Sequence, residues 1–218
     1  MAAQINKNNR YAAEEVTAYV TRVISEMDED ALNAMESSIP FYASKIRDKI
    51  EEYETDYRRK RFDDLIEMNK IVCRVDGAYA FPNVIRASVS FASLDKSLYT
   101  AECNDLNNFE FKLISSIASL DNIIWWHRNI SKRGFRINGF INHFPDFIVK
   151  TTAGIVVLVE AKGEQLKNDE SEARLALGKK WDLICGNQFK YYMVFEHKDM
   201  EIQGSYTMDR FIEILKNL

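Results

Sequence analysis

Over the first 70 residues apolar positions recur at helical spacing, and beyond them they gather into short runs separated by turn residues. Residues 11–38 and 41–70 read as helices, with Ser38-Ile39-Pro40 as the break, because proline cannot continue a helix and restricts the residue before it. In the second helix Ile46, Ile50, Tyr53, Tyr57 and Phe62 fall roughly on one face, opposite a charged one. Residues 71–105 change character: Ile71-Val72-Cys73, Tyr79-Ala80-Phe81 and Val84 to Phe91 suggest short extended pieces punctuated by Gly77 and Pro82.

A clearer alternation begins near residue 105. Asp105 can cap a helix running to about Leu120, with Leu106, Phe109, Leu113 and Ile117 as its apolar stripe. Ile123 to Ile130, Phe144 to Lys150 and Ile155 to Ala161 are extended in composition, a helix follows over about 168–184, and Phe189 to Glu196 is a further strand. A last helix spans about 208–217. This order of helix, three strands, helix, strand and helix fits an α/β layer with a mixed sheet. The expected division is a mostly helical extension over 1–105 and an α/β domain over 106–218.

Composition narrows the class. With 218 residues and 46% hydrophobic content the chain can bury a sizeable core. Cys73, Cys103 and Cys185 are far apart and odd in number, so neither a disulfide framework nor a metal knuckle is expected, and a reducing cytoplasm fits best. The stretch MAAQINKNNRYAAEEV has no signal-peptide core and no run of about 18 apolar residues occurs, so neither secretion nor a membrane partner is expected. The net charge of −4 argues against a general nucleic-acid binder, but its distribution matters more. The whole acid excess lies in residues 1–70, whereas His127 to Gly163 holds Arg128, Lys132, Arg133, Arg136, Lys150 and Lys162 against only Asp146 and Glu160.

Those two acids stand in HFPDFIVKTTAGIVVLVEAKG, which reads as a β-hairpin. If Thr152-Ala153-Gly154 is a three-residue loop, glycine occupies the left-handed position that such loops require, and Thr151 faces Ile155. Counting back along both strands sets Asp146 opposite Glu160, with Cα atoms about 4.5–5.5 Å apart. Lys162 emerges on the same face, while Val157, Val159 and Ala161 point the other way. Two opposed carboxylates repel unless a proton or cation lies between them, and oxygen-only ligation suits Mg²⁺ or Mn²⁺. A lysine two residues on is a poor metal ligand but a reasonable partner for a phosphate or its attacking water, so the chemistry expected is phosphodiester hydrolysis.

Other features have plainer readings. Asp146 and Glu160 beside Lys162 could also be an ordinary exposed strand edge. Glu110 lies among Phe109, Phe111, Leu113 and Ile114, and both a site acid and a surface helix-end acid remain open for it. The run Arg58 to Arg61 reads as a solvated helical face rather than a phosphate contact, and Trp125-Trp126 as core and surface rather than base stacking. His127, His143 and His197 lack zinc-ligand spacing, and no GxxxxGK[ST] phosphate loop occurs.

Several stretches together resemble one family. Ser97-Leu98-Tyr99, Asn107 to Glu110, WWHRN (Trp125 to Asn129), Gly134 to Phe147 with its PDF, VEAKG (Val159 to Gly163), LGKKW (Leu177 to Trp181) and KYYMVFE (Lys190 to Glu196) are similar to the C-terminal region of the restriction subunit of type III restriction–modification enzymes and related DEAD/DEAH-type helicase–nucleases. The resemblance runs through most of residues 71–218. It implies a PD-(D/E)xK restriction-endonuclease-like core and an Mg²⁺-dependent DNA endonuclease. By the same resemblance Asp146, Glu160 and the Ala161 carbonyl are the metal ligands, Lys162 the phosphate-facing lysine and Glu110 the helix acid. Arg128, Lys132, Arg133 and Arg136 are the candidate contacts to DNA phosphates. The implied partners are double-stranded DNA, a methylation subunit that supplies sequence recognition, and a helicase motor that this chain does not contain. The competing expectation is a catalytically silent nuclease-like domain that binds DNA or docks onto another subunit.

Overall fold

A computed structural model describes residues 1–73, 79–83, 85, 90–92, 94–103, 106–164 and 168–218. It divides into two compact units, Met1–Leu65 and Ile66–Leu218. The first unit is helical, with α1 (Ala2–Ile5), α2 (Ala13–Ser25), α3 (Glu29–Ser37) and α4 (Ile39–Glu67), whose last turn passes the unit's end. The single helix expected over 11–38 is thus two. Asp28 sits in extended backbone and its carboxylate accepts from Ala31 N at 2.8 Å, so a capping residue starts a new helix there. Ile5, Val16, Val20, Ala43 and Ile46 form this unit's core. The apolar face expected along α4 is only partly buried, because Tyr53 and Tyr57 are 53% and 69% exposed while Ile46 and Phe62 are covered. Arg58 to Arg61 are exposed, as a solvated face requires.

The second unit runs β1 (Ser90–Ala92), β2 (Ala101–Cys103), α5 (Asn108–Ala118), β3 (Ile123–Arg128), β4 (Ile137–Asn138), β5 (Asn142–His143), β6 (Phe147–Thr151), β7 (Val156–Lys162), α6 (Asp169–Cys185), β8 (Phe189–Phe195), β9 (Ser205–Thr207) and α7 (Met208–Lys216). Its main sheet has the order β3-β6-β7-β8-β9. The pairs β3/β6 and β6/β7 are antiparallel, while β7/β8 and β8/β9 are parallel, so the fold is mixed α/β. A parallel β7/β8 pair needs a crossover, and α6 supplies it.

Side-chain alternation gives this sheet two faces. Val157 and Val159 of β7 and Val194 of β8 are fully buried in one core with Leu113 and Ile117 of α5 and Phe211 and Leu215 of α7. The opposite face of β7 carries Leu158, Glu160 and Lys162, in register with Tyr191, Met193 and Phe195 of β8. Here α6 packs so closely that a Cβ on Gly178 would lie 2.3 Å from the Tyr191 ring. Glycine is needed because two elements meet at their backbones.

The structure corrects several expectations. The break near residue 105 is replaced by one at Leu65/Ile66, because the stretch before α5 belongs to the second unit. Trp126 N donates to Lys96 O at 2.9 Å, Leu98 N to Trp126 O at 3.0 Å and Trp126 Nε1 to Asp95 O at 2.9 Å, which covers the outer edge of β3. Cys73 and Cys185, 112 residues apart, form a disulfide with Cα atoms 5.2 Å apart. The expectation of no disulfide fails because sequence separation says nothing of distance in the fold, and with it goes the cysteine argument for a reducing compartment. Ile71 to Cys73 and Tyr79 to Phe81 form no strand, and Tyr79 and Phe81 instead pack their rings against His127. The short β4/β5 and β9 strands were not foreseen. Gly77, Asp105 and most of 84–91 lie outside the described residues, and Asn107 caps α5. No helix among the described residues is long and apolar enough to cross a membrane.

Candidate functional site

The site begins with the β6–β7 hairpin, whose ladder pairs Phe147 with Val159, Ile148 with Leu158, Val149 with Val157 and Lys150 with Val156. Gly154 has φ +84° and Thr151 N donates to Ile155 O at 2.9 Å, the glycine geometry and pairing expected of the loop. That bond fixes the phase of the ladder. Thr151/Ile155 and Phe147/Val159 are hydrogen-bonded pairs, so the next pair, Asp146 and Glu160, is of the other kind, in which side chains stand closer. Pro145 ends the ladder because it has no N–H to donate. Its missing N–H leaves the Ala161 carbonyl without that ladder bond, and with Pro145 O accepting from Asn129 Nδ2 the Ala161 N–H donates to Asp146 Oδ2 at 2.8 Å. The N–H and C=O of one strand residue project to the same edge, so the Ala161 carbonyl also faces the Asp146 side.

Asp146 is held from its backbone as well. Asn129 N donates to Asp146 O at 2.8 Å, and Asn129 Nδ2 donates to Phe135 O at 2.8 Å and Pro145 O at 2.7 Å. Gly134 makes room for this clamp, since a Cβ there would lie 2.0 Å from Asn129 Oδ1. Burial pushes the Asp146 carboxyl well above the usual carboxylate range, and the charges of Glu160 and Glu110 push the same way against the Ala161 N–H and Lys162. Glu110 therefore bears on the site, while its Oε2 also accepts from Asn107 N at 3.0 Å in a capping box at the start of α5.

Glu160 is almost wholly buried, with 2% of its side chain exposed. Its Oε1 takes both Lys162 Nζ at 2.8 Å and Arg174 Nη1 of α6 at 2.9 Å. Its Oε2 has no hydrogen-bond partner among the described residues. His143 Nε2 lies 3.9 Å from that oxygen and 2.9 Å from the Tyr191 hydroxyl. Burial lowers His143 to about 4 against the pull of Glu160, so at neutral pH it is uncharged and supplies no countercharge. Burial raises Tyr191 well above its ordinary value, with Glu160 and Asp146 adding to the effect.

The structure thus pairs Lys162 with Glu160 and lets the charges of Glu160, Glu110 and Lys162 act on Asp146. Arg128 ends β3 opposite Phe147, and Lys132, Arg133 and Arg136 are exposed on the following loop, at the sheet end that carries Asp146. Sequence reasoning missed Arg174, His143, Tyr191 and Asn129. Asn129 and His143 stood inside quoted motifs, and Gly178 of LGKKW was the signal that α6 comes close to β8. Two carboxylates, one of which keeps Glu160 Oε2 buried without a hydrogen-bond partner among the described residues, and the Ala161 carbonyl on the same strand edge make an all-oxygen donor set that fits a hard divalent cation. Among the described residues no three His, Cys, Asp or Glu side chains cluster as a metal site. No protein-family model, no curated protein and no solved structure matches the chain.

Proposed function

We propose that the second unit is an Mg²⁺-dependent DNA endonuclease with a PD-(D/E)xK core, similar to the nuclease region of type III restriction subunits. The observation that supports this reading is the hairpin register, which pairs Phe147 with Val159 and so makes Asp146 and Glu160 the next residues along, with Lys162 on Glu160 and one Glu160 oxygen buried without a hydrogen-bond partner among the described residues. Asp146, Glu160 and the Ala161 carbonyl would hold the cation, Mg²⁺ or Mn²⁺. When bound it supplies positive charge to the phosphate and lowers the pKa of a water nucleophile.

The chain's own groups do the rest. Asn129 and the Ala161 N–H fix the backbone and carboxylate of Asp146 before any ligand arrives. Lys162 offers an ammonium that stabilises charge growing on the phosphate, its place kept by Glu160 Oε1. Arg128, Lys132, Arg133 and Arg136 supply the sequence-independent attraction to the duplex backbone. Double-stranded DNA is the proposed substrate, and a methylation subunit and helicase motor are the proposed partners.

The test is incubation of the purified chain with supercoiled plasmid, with Mg²⁺ and with EDTA, alone and with a type III methylation subunit, motor and ATP. Nicking or linearisation that needs Mg²⁺ and disappears in Asp146→Ala is expected. A protein that binds DNA but never nicks it under the full set of conditions is instead a silent docking domain.

A further inference from the structure

One cation at Glu160, Arg174, has no part in the nuclease chemistry described above. Two cations, Lys162 and Arg174, share Glu160 Oε1, while Oε2 is buried without a hydrogen-bond partner among the described residues. We infer that Arg174, the second cation, is a phosphate-binding residue of this site, held on Glu160 and Glu170 until a duplex backbone takes their place. The inference rests on the nuclease reading for its substrate class, but it concerns a residue of α6 that the resemblance does not assign.

Three observations support it. Arg174 lies one and a half turns into α6, three and four residues before Leu177 and Gly178, so its stem leans over the sheet face that Gly178 brings against Tyr191. Its side chain is 30% exposed whereas that of Glu160 is 2% exposed, so solvent reaches part of the Arg174 side chain and almost none of the carboxylate that it pairs with. Its two terminal nitrogens are shared between two carboxylates, Nη1 on Glu160 and Nη2 on Glu170. Glu170 is 66% exposed, and such a surface pair contributes little and is readily exchanged. A planar fork with two nitrogens each satisfied by an anionic oxygen is the geometry that a phosphate with two free oxygens can take over. When a divalent cation neutralises Glu160, the attraction keeping Nη1 in place weakens as well.

The experiment compares wild-type chain with Arg174→Gln, Arg174→Lys and Glu170→Gln by duplex binding in Ca²⁺, Ca²⁺ affinity without DNA, and plasmid cleavage in Mg²⁺. Losing a charge-assisted contact should weaken duplex binding about 10- to 100-fold in Arg174→Gln. Its Ca²⁺ affinity should stay unchanged or rise, since both carboxylates remain and one competing cation is gone. Arg174→Lys should fall between, because an ammonium keeps the charge but not the two-pronged grip, and it decides the matter if the glutamine variant does not fold. Glu170→Gln should bind DNA as the wild type does. Binding within twofold of wild type in Arg174→Gln, or a loss of Ca²⁺ affinity equal to the loss of DNA affinity, would overturn the inference and leave Arg174 as a countercharge for Glu160. A wild type that binds but does not cleave removes the nuclease reading while the binding comparison still judges Arg174. A wild type that does not bind duplex removes both.

Discussion

Burial, then the nearby charges of Glu160 and Glu110, hold the Asp146 carboxyl well above the ordinary carboxylate range. Folding therefore favours its neutral form, and the stability this confers is complete below the unfolded value of about 3.9 and is lost as pH rises through the raised folded one. Above that range an ionised Asp146 carries an electrostatic cost in the folded, metal-free protein. Asp146→Asn should raise its Tm there, by about 2–4 °C for each kcal/mol relieved, and the gain should vanish near pH 4. Mg²⁺ should raise the Tm of wild type but not of the variant. Thermal melts across pH check both, and an Asp146→Asn protein less stable than wild type at pH 8 would contradict the electrostatic account. Lys162 separates chemistry from binding. Lys162→Ala keeps both carboxylates, so metal affinity measured by calorimetry should hold while cleavage falls about 10²-fold or more. Equal loss of metal affinity would make Lys162 a structural partner of Glu160 only.

The β6–β7 hairpin could be read from the sequence because everything that sets its register is local. Gly154 fixes the turn, and period-two alternation carries the pairing back to Asp146 and Glu160. The approach of α6 could not be read in the same way, since the rotation of that helix depends on Gly178 meeting Tyr191 in a strand that follows it. Arg174 and His143 reach Glu160 only once α6 and the β4/β5 hairpin are seated, so periodicity gave no sign of either. The close seating has its own test. Gly178→Ala gains about 1 kcal/mol of helix propensity. The added methyl would nevertheless meet a fully buried ring 2.3 Å away, and overpacking of this kind costs about 1–3 kcal/mol. A lower urea midpoint is expected, whereas a midpoint at or above wild type would mean that α6 does not press on Tyr191.

At the scale of the molecule, the division at Leu65/Ile66 relocates the weak point of the chain. The sequence pattern placed it near residue 105, where a clearer alternation of elements begins after short extended pieces, but the backbone bonds from Lys96 and Leu98 to Trp126 tie the preceding stretch to β3. Limited proteolysis should therefore cut first just after α4, where Met68 and Val72 are each 58% exposed, and release a second unit that begins near residue 70. First cleavage near residue 105 would restore the earlier boundary. The Cys73–Cys185 bond adds a consequence for any later cut. It closes a covalent ring that encloses Asp146, Glu160, Lys162 and Arg174 and leaves β8, β9 and α7 as a tail outside. One nick between residues 74 and 184 opens that ring without freeing either piece. The nicked protein should migrate as a single species on a non-reducing gel and part into two only after thiol is added, and two bands without thiol would show the cysteines unpaired in solution.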